Sequence, residues 1–89
     1  MTWKIELDER ANRDLDKLDL PVARRVYKFL YDRVAKLKNP RSIGEALHGP
    51  KLGELWKYRV GDYRLITKIE DDRLLVLVLR IGHRREIYR

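Results

Sequence analysis

The stretch that decides the fold is residues 55–65, LWKYRVGDYRL. In its first half, apolar and aromatic side chains alternate with Lys57 and Arg59, which is the period of a half-buried β-strand. The Gly-Asp pair at 61–62 is a two-residue turn signal, and a second strand follows over Tyr63–Glu70. The stretch therefore predicts a tight β-hairpin with basic side chains on one face.

Working outward, residues 2–7 alternate as another strand, and Asp8 is a suitable N-cap for a short amphipathic helix. A second helix is predicted from Pro21, with an apolar stripe from residue 22 to 37, and it ends near Pro40. Residues 41–53 contain three glycines and a proline and predict a loop, with room for a short helical turn near residues 43–47.

After the hairpin, residues 74–79 are apolar on both faces, which is typical of a central strand covered on both sides. We expect Gly82 to end that strand and residues 83–89 to form a tail or an edge segment. The layout is β-α-α-β-β-β, and it predicts an α+β fold in which a helical hairpin packs on a mostly antiparallel four-stranded sheet. At 89 residues the chain is expected to be one domain, residues 1–89.

Composition narrows the chemistry. The chain has no cysteine, which excludes disulfides and a thiolate nucleophile, and Ser42 is its only serine, which argues against a serine triad. His48 and His83 have no carboxylates at ligand spacing, so we expect neither a metal nor a cofactor. No apolar run suits a signal peptide or a membrane span, and we expect a cytoplasmic protein.

The formal net charge is +7, which favours a polyanionic partner such as nucleic acid. The cations of the second helix either form a solvated face or contact RNA or a partner. A second basic set follows on adjoining strands and in the tail. Like charges placed together cost energy unless an anion binds between them, although pairing with nearby glutamates for solubility is the alternative. This set comprises Lys57, Arg59, Arg64, Arg80, His83, Arg84 and Arg85.

Residues 55–65 resemble the hallmark hairpin of the RelE/ParE toxin superfamily. Residues 81–88, IGHRREIY, resemble the RelE-type ending, which has a glycine, basic residues and a late tyrosine. Leu47-His48-Gly49 and the opening β-α-α arrangement are also similar, so the resemblance spans essentially the whole chain. The hairpin is shared by RelE-like and ParE-like members, and the ending favours RelE. The implied fold is the RelE-like, microbial ribonuclease type.

The resemblance implies a toxin of a type II toxin–antitoxin module that cuts mRNA in the 30S A site of the ribosome without a metal. It assigns catalytic roles to Arg64 and Arg84, and to Tyr88 as general base. Neighbouring cations would favour its phenolate form. Leu55 stands where a second lysine occurs in the family, which leaves Lys57 or His83 to protonate the leaving group. Four further residues are expected to bind RNA: Arg59, Arg80, Arg85 and His48.

The resemblance also implies partners. We expect a cognate RelB-like antitoxin, the ribosome with its mRNA, and an antitoxin complex that binds operator DNA; no membrane is expected. A ParE-like inhibitor of DNA gyrase without nuclease activity is the alternative function. A binding module that only engages an antitoxin is a third.

Overall fold

The computed structural model describes residues 2–47 and 55–87. The chain forms a five-stranded sheet with the strand order β1-β5-β4-β3-β2. The strands are β1 (Lys4–Leu7), β2 (Glu45–Ala46), β3 (Leu55–Val60), β4 (Tyr63–Glu70) and β5 (Leu75–His83). The helices are α1 (Glu9–Asp16) and α2 (Leu20–Lys28).

The predicted α+β architecture is confirmed, with one more strand than the four expected. Strand β1 pairs in parallel with β5, and the other neighbours are antiparallel. The added strand, β2, has only two residues and pairs with Trp56 and Lys57 of β3. A two-residue strand inside a glycine-containing segment has too short an alternation to be recognised in a sequence. It follows a 3₁₀ turn at Pro40–Ile43.

Strand β5 is longer than expected, because Gly82 does not end it. Residues 80–83 continue to pair with residues 63–66 of β4, so the prediction of a break at Gly82 was wrong. Ile66 pairs with Arg80 while Thr67 pairs with Val78, which leaves Leu79 as the extra residue of a β-bulge. The strand thus changes phase at Leu79 rather than stopping at Gly82.

Both helices begin where the sequence pattern predicted. Asp8 accepts a hydrogen bond from the Arg10 amide (3.4 Å) as the N-cap of α1. Helix α2 has Pro21 in its first turn. It continues as a π-helical turn, Phe29–Arg33, and a 3₁₀ turn, Val34–Lys36. π-Helical turns carry one residue more per turn than an α-helix and were not predicted.

The core lies between the helices and one side of the sheet, which we call the helical face. That face carries Tyr58, Leu65, Val76, Val78 and Ile81, all buried against the apolar stripes of α1 and α2. The other side, the second face, carries Lys57, Arg59, Arg64, Arg80 and Gly82, which alternate with the core residues. Over the described residues, no helix is long and apolar enough to cross a membrane.

Candidate RNA-cleavage site

The second face brings arginines from neighbouring strands into register. Arg59 of β3 lies directly opposite Arg64 of β4, and Arg64 lies opposite Gly82 of β5. Directly opposed residues of antiparallel strands point to the same face, with Cβ atoms about 5 Å apart. Like charges in that position are destabilising, and the sequence therefore accepts a cost at this pair.

Arg64 is held in one orientation by the hairpin turn. Its Nη1 donates to the carbonyl oxygens of Gly61 (3.0 Å) and Tyr63 (2.9 Å), and the residue is only 8% exposed. Within the described ranges, no carboxylate lies within ion-pair distance of it, and no fully buried side-chain nitrogen lacks a hydrogen-bond partner. The remaining N–H groups of Arg64 are therefore not fully buried, although the residue as a whole is, and the guanidinium is fixed in position.

Lys57 and Arg59 lie one strand further out. The Lys57 ammonium is 3.4 Å from Glu45 of β2, and its side chain is 27% exposed. Arg59 is exposed and has no ion pair among the residues of the described ranges. The register thus places Lys57, Arg59 and Arg64 on one face, as the sequence predicted.

Arg84 begins the tail, where it lies against the hairpin turn. Its amide donates to the Asp62 carbonyl (2.8 Å), and its Nε lies 3.8 Å from Asp62 Oδ1. The backbone contact ties the tail to the turn that also fixes Arg64. In the sequence, the Gly-Asp pair at 61–62 indicates only a turn and gives no sign that Asp62 contacts Arg84.

His83 is placed differently from the arginines. Its register partner is Tyr63, whose ring it meets edge-on at 5.6 Å, and both residues belong to the helical-face alternation with Val60. Its Nδ1 accepts a hydrogen bond from the Arg85 amide (3.2 Å). That bond uses Nδ1 as an acceptor. The structure does not bring His83 onto the face that carries Arg64.

Arg80 is occupied by a partner on α1. Its Nε lies 2.8 Å from Asp14 Oδ2, and the same oxygen accepts the Ile81 amide at 2.9 Å. Burial raises the pKa of Asp14, but the bonds from Arg80 and Ile81 outweigh it and hold that pKa below 3.8. Only the part of the Arg80 guanidinium that Asp14 leaves free is available to a further partner. The residue spacing alone gave no sign of this pairing across 66 positions.

The tail folds back over Gly82. The amides of Glu86 and Ile87 both donate to the His83 carbonyl, at 2.9 and 3.0 Å. A Cβ on Gly82 would lie 2.9 Å from Ile87 Cδ1, so the missing side chain makes room for Ile87. Arg85 is exposed at this turn, while Tyr88 and His48 lie outside the described residues.

Taken together, the arrangement can hold a phosphodiester and stabilise added negative charge on it. A guanidinium fixed in advance stabilises developing charge without the cost of reorienting during the reaction. Its planar donor set also matches phosphate oxygens better than an ammonium does. The geometry is therefore suited to phosphoryl chemistry on a polyanion.

Comparison with known proteins agrees with this fold. The family model described as the ParE toxin of the type II toxin-antitoxin system, parDE, matches residues 5–88. The chain is therefore a toxin of the type II toxin–antitoxin class. It belongs to the RelE/ParE superfamily, and the resemblance seen in the sequence is confirmed.

Two curated relatives place it on the RelE-like side of the superfamily. Toxin RelG of Mycobacterium tuberculosis is 32% identical over 89 residues, covering 100% of this chain and 99% of the relative. The mRNA interferase toxin RelE of Escherichia coli is 31% identical over 90 residues, covering 99% and 92%.

Solved structures show the same architecture. The toxin-antitoxin complex RelBE2 of M. tuberculosis contains a chain with a TM-score of 0.85 and 28% identity, covering 97% of this chain and 95% of that one. A double arginine-to-alanine mutant of the E. coli toxin RelE, in the free state, has a TM-score of 0.76 and 26% identity, with coverages of 99% and 90%.

Proposed function

We propose that this toxin is an endoribonuclease that cleaves mRNA in the ribosomal A site and so inhibits translation. One observation carries the proposal: the Arg64 guanidinium is fixed by the hairpin turn, has no carboxylate partner among the described residues, and belongs to a residue directly opposite Arg59. A charge pair of this kind is costly in the free protein and becomes favourable when a phosphodiester binds. The name mRNA interferase, carried by the E. coli relative, supports the same reaction.

The proposed reaction needs no metal. The 2′-OH of the RNA attacks the adjacent phosphorus as a base removes its proton, and the bond to the 5′-oxygen breaks as an acid protonates that oxygen. The products are a 2′,3′-cyclic phosphate and a 5′-hydroxyl. The requirement for a 2′-OH also restricts the reaction to RNA.

Each role falls to a residue of the cationic set or to Tyr88. Arg64 and Arg84 stabilise the charge that develops on the phosphoryl oxygens, and Tyr88 is the general base. Lys57 is a better candidate than His83 for the general acid, because Lys57 shares the face of Arg64 and His83 does not. RNA is bound around this centre by Arg59, Arg80, Arg85 and His48.

The proposal includes partners. A RelB-like antitoxin neutralises the toxin, and their complex binds operator DNA. Solved complexes of similar toxins with antitoxins support the first of these. Action on ribosomes places the protein in the cytoplasm.

The decisive experiment incubates the purified toxin with programmed ribosomes and mapped mRNA. Wild type is expected to cut in the A site and leave a 2′,3′-cyclic phosphate, whereas Arg84→Ala combined with Tyr88→Phe should not cut. Arg73→Ala is the matched control, because Arg73 is exposed and lies at the opposite end of β4. Absence of cleavage by wild type, or full cleavage by the double variant, contradicts the proposal.

Inhibition of DNA gyrase is the second candidate, and the description of the matching family model favours it. It predicts inhibited supercoiling, intact mRNA and no requirement for Tyr88. A supercoiling assay at micromolar toxin separates the two functions, since only a gyrase inhibitor should act in it. A protein that acts in neither assay and does not affect growth is a binding module.

A further inference from the structure

A second cationic site lies where α2 passes the outer edge of the sheet. A groove of about 210 Å³ opens between the π-helical turn and β3. It is lined by Phe29, Arg33, Ile43, Glu45, Lys57 and Arg59. Three of these side chains are cations and one is a carboxylate, and the carboxylate already pairs with Lys57 at 3.4 Å.

Arg33 is the residue that the sequence did not connect with the site. It is the last residue of the π-helical turn Phe29–Arg33, whose first residue packs edge-on against Tyr58 at a ring distance of 5.7 Å. Arg33 is exposed, and within the described ranges it has no ion pair. π-Helical turns are uncommon and recur at functional sites, where they direct a side chain differently from a regular helix.

The groove is continuous with the proposed cleavage face. Arg59 lines the groove and is also the register partner of Arg64. Adjacent strands lie about 4.8 Å apart, so the groove begins one strand away from the fixed guanidinium. An RNA strand whose scissile phosphate lies at Arg64 can therefore place a neighbouring phosphate at Arg33 and Arg59.

We propose that this groove binds a non-scissile phosphate of single-stranded RNA, with Arg33 as its main contact. The inference rests on the proposed function and adds a binding residue to it. Uncompensated cations favour RNA over an acidic peptide here, because the groove adjoins a face suited to phosphodiesters. Each neutralised phosphate of a single strand changes the slope of log affinity against log salt by about 0.7.

The test compares Arg33→Ala with Lys36→Ala, which removes one exposed cation from the next turn of the same helical segment. The probe is a fluorescein-labelled single-stranded RNA with 2′-O-methyl groups, which lacks the nucleophile and stays intact. We expect Arg33→Ala to weaken binding by about three- to tenfold and to reduce the salt slope by about 0.7. Lys36→Ala should change the affinity and the salt slope by less than half as much as Arg33→Ala does. Arg33→Lys should restore the salt slope.

Equal effects of Arg33→Ala and Lys36→Ala overturn the inference. So does an Arg33→Ala variant that binds the RNA normally but loses an acidic protein partner on co-purification.

Cleavage on programmed ribosomes is measured in parallel. If wild type binds RNA through Arg33 but never cuts mRNA, the proposed nuclease function is wrong and the RNA-binding role of the groove still holds. If wild type cuts mRNA and Arg33 is dispensable for binding, only the groove fails. Thermal melting confirms that both variants are folded.

Discussion

The two faces of the sheet differ in whether their polar side chains have partners. On the helical face, the Tyr58 hydroxyl donates to the Pro40 carbonyl at 2.6 Å, and the Thr67 hydroxyl donates to the Trp56 carbonyl at 3.0 Å. On the second face, Arg59 and Arg64 stand opposite each other without a carboxylate of the described residues between them. Buried polar groups are normally paired, so the first pattern serves stability. The second pattern costs stability in the free protein, and a bound anion would offset that cost.

The largest expected effect comes from removing the fixed guanidinium on the second face. Arg64→Ala should lower the single-turnover rate of mRNA cleavage by about 10²- to 10³-fold, which is typical of losing one preorganised donor to developing charge. Rapid-quench kinetics on programmed ribosomes measures this, and Arg73→Ala should retain the wild-type rate. A rate within about threefold of wild type would mean that Arg64 stabilises the hairpin turn and takes no part in the reaction.

On the helical face, a substitution should affect stability rather than cleavage. Tyr58→Phe leaves the Pro40 carbonyl without its donor and should lower the free energy of unfolding by about 1–3 kcal/mol, while cleavage at low temperature is unaffected. Burial raises the pKa of Tyr58 to about 12 from 10, so its contribution is complete below pH 10 and is lost as the pH rises from 10 toward 12. Urea titrations across this range measure both effects. If the variant loses cleavage but not stability, the division between the faces is wrong.

Asp14 tests the boundary between the faces, because it neutralises Arg80 from α1. Asp14→Asn should cost about 1–2 kcal/mol of stability at neutral pH. The folded-state pKa of Asp14 lies below 3.8, so its contribution is present above that pH and is lost as the pH falls through the folded-state pKa. Wild type should therefore lose more stability than Asp14→Asn on acidification below pH 4. Parallel acid-denaturation curves for the two proteins would contradict this.

Arg80→Ala should have the smallest effect on the reaction. Asp14 already occupies two of the guanidinium nitrogens, at 2.8 and 3.4 Å, so we expect cleavage to fall by less than about threefold, or roughly 0.6 kcal/mol. Measuring Arg80→Ala beside Arg64→Ala sharpens the contrast between a paired and an unpaired arginine. A loss as large as that of Arg64→Ala would place Arg80 in the reaction despite its partner.

Much of the fold was predictable because it depends on local patterns. The alternation in β3 and β4, the Gly-Asp turn and the Asp8 cap each depend on a few consecutive residues. The face shared by Lys57, Arg59 and Arg64 followed from the same alternation. Local rules of this kind need no knowledge of distant contacts.

The missed features all depend on contacts between distant segments. Asp14 meets Arg80 across 66 residues, and the extent of β5 depends on its pairing with β4 beyond Gly82. Neither the bulge nor the π-helical turn has a sequence signature that stands out from its neighbours. The family resemblance supplied the roles of Arg84 and Tyr88, which no spacing rule could have given.

The bulge at Leu79 makes β5 two half-strands that are out of phase. Before it, Val76 and Val78 point to the core; after it, Ile81 does, and Arg80 and Gly82 point away. Deleting Leu79 would remove the bulge and make the two halves one regular alternation, with Arg80 still pointing away from the core and Ile81 still pointing to it. The extra residue therefore bends and twists the strand locally without deciding which side chains face the core, and a one-residue deletion at Leu79 should keep Ile81 buried.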